Sequence, residues 1–233
     1  MRIVDLGSDV PYQEGMRIMR EAIARVDVDG PVLLLLEHSA TITTTRAGGT
    51  AFVTASREQL QADGIALVET DRGGDVTFHG TGQLVGYPVL RLSEPGARAD
   101  LLGYLRMLEL SLVTACARLG VADAHCIKGQ TGVWCDAPVV DEETLGCTLA
   151  QVTRQQCKLV ALGVGVGGGV TRHGFALNVT TELERFTRHI VPCGLVGRSV
   201  TSLERVVSKV PSLLEVKRVV GAVVVAQVGA PRG

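Results

Sequence analysis

The sequence predicts a single α/β domain, and three observations carry that prediction. The chain has 233 residues, 46% apolar and 20% charged, enough for one substantial core. Short β-forming runs alternate with segments of helical periodicity from end to end. No internal repeat and no low-complexity linker divides the chain, so residues 1–233 are read as one domain. Its catalytic core is expected at about 1–205, with a last helix at about 211–228.

Taken in order, Ile3–Leu6 reads as a short first strand. Ser8 or Asp9 offers an N-cap and Pro11 suits a first helical turn. Tyr12, Met16, Met19, Ile23 and Val26 follow at steps of four and three, one helix face. Pro31–His38 is a near-continuous apolar run, a buried strand. Ala40–Arg46 is β-branched and reads as a less buried strand or the loop leaving it.

Ser56 and Gln59 are spaced as a capping box for a short helix ending at Gly64. Ile65–Glu69 and Leu84–Leu92 are strands, and Pro88 inside the second suggests an edge or a bulge. Ala99–Leu119 is the longest helix, with a stripe of Leu101, Leu105, Leu108, Leu112 and Leu119 and a cap at Gly120. Gly129–Cys135 and Lys158–Val166 are strands joined by Asp136–Gln156, read as a long hairpin loop. His173–Val179 is a further strand and Glu182–Phe186 a short helix. Thr201 and Glu204 are spaced to cap another, and Pro211 opens a valine-rich final helix, Ser212–Val228.

Composition narrows the function classes. Net charge is −1 with only eight aromatic residues, which argues against nucleic-acid binding by a basic face or by base stacking. The N-terminus lacks the apolar run of a signal peptide, and no apolar run reaches the roughly 20 residues of a membrane span. A soluble, cytoplasmic chain with no membrane partner is expected. The six cysteines form no C-x-x-C pair, and their spacings match no standard zinc finger or ribbon.

The stretch Arg72–Tyr87 packs five glycines around one arginine, one aspartate, one histidine and one glutamine. A plain hairpin needs one or two glycines at its turn. That density suits a cradle whose backbone comes close to a ligand, with His79 facing it. A second cluster, Gly167-Gly168-Gly169, precedes β-like residues and not a helix, so a dinucleotide loop is rejected; no Walker sequence occurs. Cys193 stands between Pro192 and Gly194, a placement that suits a nucleophile. The groups that could activate it are His79, His173, His189 and Lys158.

Taken together, RGGDVTFHGTGQLVGYP (72–88), TGVWC (131–135), KLVALGVGV (158–166), GVTRHGFALNV (169–179) and VPCG (191–194) resemble the lipoyl(octanoyl) transferases, in that family's order. The resemblance covers about residues 1–205. It implies the biotin/lipoate protein ligase-like fold, α/β of the α+β type, with a mixed, largely antiparallel sheet and flanking helices. It also implies octanoyl transfer from octanoyl-acyl carrier protein, through a cysteine thioester, to a lysine of lipoyl domains. The implied acceptors are the E2 subunits of 2-oxoacid dehydrogenases and the glycine cleavage H protein.

By the same resemblance, Cys193 is the nucleophile and Lys158 the residue that activates it. Arg72, Gly73, Gly74 and Asp75, then Val76, Thr77, Phe78 and His79, form one substrate-binding segment. Ala161, Leu162 and Gly163 form a second; Gly174, Phe175 and Ala176 form a third. His173 and Asn178 are positioning candidates. Thioester exchange is nearly balanced in free energy, so no cofactor or metal is expected, and a monomer is the default. The chain departs from the family pattern at Gly167 and Gly168, where basic residues are usual, in the long 136–156 segment, and after Val206. The alternatives are an ATP-dependent lipoate or biotin ligase, or a non-catalytic acyl- or lipoyl-domain-binding relative.

Overall fold

The computed structural model describes residues 1–45, 49–94, 97–140, 152–191 and 199–229. A short strand β1 (Arg2–Asp5) leads to helix α1 (Tyr12–Asp29), which buries Tyr12, Met16, Met19 and Val26. The four-and-three spacing of those residues forms one apolar face. β2 (Val32–Leu36) follows, buried throughout, as its unbroken apolar run requires of a strand covered on both sides.

β3 (Thr41–Thr45), β4 (Ala66–Thr70) and β5 (Thr77–His79) form a small sheet in the order β4-β3-β5. β3 is its central strand and is buried at all five positions, so the expectation of a less buried segment is corrected: threonine is polar enough to read as exposed yet β-branched enough to fill a strand. A 3₁₀ turn (Gly49–Phe52) and helix α2 (Arg57–Ala62) connect β3 to β4. The capping box at α2 is complete: Ser56 Oγ accepts from the Gln59 amide and Gln59 Oε1 accepts from the Ser56 amide.

The main sheet runs β1-β2-β6-β10-β9-β8-β7, with β6 at Gln83–Val89, β7 at His125–Ile127, β8 at Gln130–Val140, β9 at Val152–Gly167 and β10 at Val170–Asn178. Only the β1–β2 pair on this path is parallel. β11 (Ser199–Val200) adds a parallel pairing to β9 at Cys157 and Lys158. Gly168 and Gly169, both with positive φ, make the tight turn between β9 and β10, the conformation a two-residue hairpin loop demands.

β8 and β9 pair as far as Val140 and Val152. The segment read as a long loop, Asp136–Gln156, is therefore strand at both ends, and residues 141–151 lie outside the described residues. Its polar composition hid the strand, because this ribbon has exposed positions such as Asp136, Pro138 and Arg154. Pro88 sits in β6, an interior strand, and not at an edge.

Two cores flank the sheet. On one face Leu33, Leu35, Leu84, Val160, Phe175 and Leu177 meet α3 (Leu101–Arg118) and α6 (Leu213–Val228). On the other, Val32, Leu34, Leu36, Val85, Tyr87 and Ala176 meet α1. In α3 the buried face is Tyr104, Leu108, Leu112 and Ala115, while Leu101 is exposed. The predicted leucine stripe is buried at Leu108, Leu112 and Leu119, and Tyr104 takes the place expected of Leu101. Helix α4 (Leu183–His189) follows β10, and α5 (Leu203–Val206) follows β11. The cap predicted at Thr201 is not formed; Ser202 is the N-cap, without a side-chain bond. Among the described residues no helix is long and apolar enough to cross a membrane.

Candidate active site

Facing positions of β9 and β10 alternate between the two cores. Leu162 and Phe175, paired with each other, send their side chains to the core under α3 and α6. Their neighbours Ala161–Ala176 and Gly163–Gly174, also cross-strand pairs, face the other way. Four small residues therefore leave the sheet surface bare, and the bare patch is the floor of a pocket. Val85 and Tyr87 of β6 border it, Tyr12 of α1 approaches from the side, and Thr77 and His79 of β5 line it as well.

Arg72, Gly73, Gly74 and Val76 of the loop before β5 line this pocket as well. Arg72 ties the loop down: its Nε donates to Thr43 Oγ1 (3.1 Å), Nη2 to Thr43 O (2.9 Å) and Nη1 to Gly73 O (2.9 Å). Gly73 and Gly163 touch backbone to backbone; a Cβ on Gly163 would lie 2.8 Å from Gly73 O. A side chain on Gly163 would separate the loop from β9.

Lys158 reaches the pocket because of an irregularity in β9. Val133 pairs with Val160, but the next residue, Trp134, pairs with Lys158, so Leu159 is an extra residue in the ladder, a β-bulge. Leu159 and Val160 both enter the core under α3 and α6. Without the bulge, alternation would send Lys158 there too. Instead it lines the pocket, half-buried. Its Nζ stands 4.8 Å from the centre of the Trp134 ring, a cation–π distance. A Cβ on Gly132 would sit 3.3 Å from Lys158 Cε, so the bare glycine lies against the lysine stem.

Histidines and tyrosines make up the polar end. His38 Nδ1 donates to Val10 O (2.9 Å) and its Nε2 accepts from Tyr87 Oη (2.6 Å). Burial pushes His38 down to about 4 and His79 down to about 3, so both are neutral at pH 7. Tyr12 stacks on His79 with ring centres 5.9 Å apart. His173 lowers its pKa through burial, opposed by its hydrogen bond to Asp71 (2.8 Å).

His173 has φ +58, a left-handed conformation rare for a non-glycine residue. Carrying the Phe175–Gly86 register on by two places sets it opposite Pro88, which has no N–H to offer. The His173 amide turns instead to Met19 Sδ (3.1 Å). The predicted irregularity at Pro88 is thus expressed on the neighbouring strand.

Of the residues the sequence proposed, the structure brings Lys158, Arg72, Gly73, Gly74, Val76, Thr77 and His79 together at one pocket with the 161–163 and 174–176 segments and His173. Phe78 packs instead into the small core with Ile42 and Leu60. Asp75 is not among the pocket residues. Asn178 joins a buried hydrogen-bond chain, accepting from Gln83 Nε2 and donating to Thr201 O. Cys193 lies outside the described residues. The chain is fixed on both sides of that gap, with Val191 N bonded to Phe52 O (2.9 Å) and Ser199 paired with Cys157 beside Lys158. Cys116, Cys135 and Cys157 are buried and Cys126 half-buried, with burial raising their pKa values.

Sequence reasoning had no signal for Tyr12, Val85 and Tyr87 as pocket residues. Each fits a core pattern on its own element, and only the empty floor beside them distinguishes pocket from core.

Comparison with known proteins adds to this geometry. The model of the lipoyl protein ligase A/B catalytic domain matches residues 11–224. The octanoyltransferase of Geobacter metallireducens is 41% identical over 220 residues, 94% of this chain and 89% of its own. That of Acidobacterium capsulatum is 40% identical over 223 residues, 91% and 83% of the two chains. Among solved structures, a bipartite lipoate protein ligase from Thermoplasma acidophilum superposes with a TM-score of 0.72 at 16% identity, covering 100% of this chain and 85% of that one. Lipoate-protein ligase A bound with ATP gives 0.71 at 18%, covering 98% and 85%. These likenesses establish a lipoate protein ligase-type fold.

Proposed function

The chain belongs to the lipoyl protein ligase A/B catalytic-domain family, and from that premise we propose that it is an octanoyltransferase working through a thioester on Cys193. As an acyltransferase it moves an octanoyl group. The observation that carries the reading is the pocket floored by Ala161, Ala176, Gly163 and Gly174 and flanked by Lys158, together with relatives at about 40% identity that bear that activity. A floor of alanine and glycine suits a linear acyl chain, whose buried methylenes contribute roughly 0.8 kcal/mol each.

The donor in this reading is octanoyl-acyl carrier protein. The Cys193 thiolate attacks the donor's thioester carbonyl, the C–S bond of the donor breaks, and Lys158 takes the cysteine proton and returns one to the leaving thiol. In the second half the ε-amine of a lipoyl-domain lysine attacks the Cys193 thioester. An amide forms, the Cys193 sulfur leaves, and Lys158 accepts the amine's proton. The E2 subunits of 2-oxoacid dehydrogenases and the glycine cleavage H protein are the acceptors proposed.

Intact-mass spectrometry tests this. Incubation with octanoyl-carrier protein and no ATP is expected to add one octanoyl group on Cys193, removed by an apo lipoyl domain. Unimpaired transfer by Cys193→Ser would overturn the nucleophile, and an ATP requirement would point to a ligase.

A further inference from the structure

The proton positions around His79 are determined by chemistry and not only by distance. Gln83 is buried, 1% exposed. One end of its carboxamide, Nε2, faces two oxygens: Phe78 O at 3.1 Å and Asn178 Oδ1 at 2.9 Å. A backbone carbonyl only accepts, so that end is the NH₂. Asn178 is fixed in the same way, because its other end donates to the carbonyl of Thr201 at 3.0 Å. Gln83 Oε1 therefore faces His79 Nδ1, at 2.7 Å, and an amide oxygen can only accept. Nδ1 carries the proton.

His79 is thus left with a lone pair at Nε2, which has no hydrogen-bond partner among the described residues while the ring lines the pocket. We infer that Gln83 is the positioning residue that sets this tautomer, so that His79 presents only an acceptor to an N–H group of the substrate. The identity of that group rests on the octanoyl-transfer reading; the tautomer does not. An acyl chain and a thioester carry no donor. The N–H groups available are the ε-amine of the acceptor lysine and an amide beside the donor thioester, and they act in different half-reactions.

The same chain of amides spans the strands that hold the site. His79 is on β5, Gln83 on β6 and Asn178 on β10, and the Thr201 amide donates to Lys158 O at 3.0 Å. Replacing Gln83 removes the acceptor for Nδ1–H, and the proton becomes free to move to Nε2.

Long-range ¹⁵N–¹H correlation on the full chain with ¹⁵N-labelled histidine reads the tautomer directly. Wild-type His79 is expected to show a protonated Nδ1 and an unprotonated Nε2; the reverse pattern overturns the inference without touching the acyl-transfer reading. Gln83→Met, which cannot accept, is expected to shift the proton to Nε2 and slow one half-reaction about tenfold, the effect of one hydrogen bond. Gln83→Glu still accepts from Nδ1–H but sets its second oxygen against Phe78 O and Asn178 Oδ1, so it is expected to keep the Nδ1 proton in the spectrum while lowering the urea midpoint. Slowed loading with normal discharge assigns the N–H to the donor, and the converse to the lysine. No loss in Gln83→Met, or a loss with Nδ1–H still in place, would reduce Gln83 to a structural role. Should Gln83→Met not fold, the wild-type spectrum still decides the tautomer. No loading by the wild type would sink the functional reading and leave the tautomer standing.

Discussion

At the scale of single residues, the buried histidines tie stability to pH. His38 and His79 have folded pKa values of about 4 and about 3, below the ordinary value of 6.5, mainly because burial disfavours the charged ring. The unfolded chain therefore binds protons that the folded one refuses. Stability is fully present above about pH 6.5 and is lost as pH falls toward 4, at up to about 1.4 kcal/mol per pH unit for each ring. Urea midpoints at pH 7.5, 6 and 5 should fall in that order, and a His79→Gln variant should flatten the slope. Lys158 gives a second prediction at this scale. Lys158→Ala should leave the unfolding free energy from urea titration within about 1 kcal/mol of wild type while octanoyl transfer drops by about 10²-fold or more, the usual size of a lost acid–base group. Parallel losses of fold and rate would refute it. Some residues could be read early: Lys158 heads the apolar run K-L-V-A-L, and a lysine there invites a question. Tyr12 and Tyr87 could not, because an aromatic on an apolar face looks the same whether it meets a core or a cavity.

At the scale of elements, the bulge at Leu159 decides which way Lys158 faces. Inserting one residue between Val133 and Trp134 would give Leu159 a partner, restore strict alternation through 158–160 and turn Lys158 toward the core of Val160 and Leu177. The expected result is loss of transfer together with a destabilisation of several kcal/mol, since a buried, unpaired ammonium is strongly unfavourable. An insertion that kept either activity or the wild-type melting temperature would refute the bulge's role. The start of β6 gives another test. Gly82 has φ +79, and a Cβ there would lie 2.5 Å from Thr180 Oγ1, so Gly82→Ala should cost about 1–3 kcal/mol, measured by urea unfolding. Elements were legible where side chains signal locally, as in the Ser56–Gln59 box and the Gly168–Gly169 turn. The bulge was not, because K-L-V reads as one more step in an apolar strand, and only pairing with Trp134 shows the extra residue. The ends of β8 and β9 were hidden for a related reason: their stability comes from each other, and β9 reads there as a polar run, with Arg154, Gln155 and Gln156 all exposed.

For the whole molecule, the valine-rich helix α6 is part of the main core. It buries Val216, Val220, Val223, Val224 and Val228 against the sheet, and Lys217 pairs with Asp5 of β1 at 2.7 Å. Five buried valines at roughly 1.5 kcal/mol or more each approach the entire net stability of a typical domain. A chain ending at residue 211 should therefore lose its cooperative thermal transition by circular dichroism; a retained transition would show α6 to be dispensable. Valine's modest helix propensity made this segment hard to read in isolation. Burial on one face, which the sequence does not state, holds it helical.

The bond between Asp71 and His173 spans 102 positions of the chain, and Lys158 is flanked by Val200. The pocket is consequently among the last things a growing or refolding chain can complete, since distant segments must meet against the entropy of closing the loops between them. On a ribosome, no acyl group could be accepted before residue 200 had emerged. In a dilution from urea, far-UV ellipticity should return ahead of transfer activity, which should track the slowest phase alone.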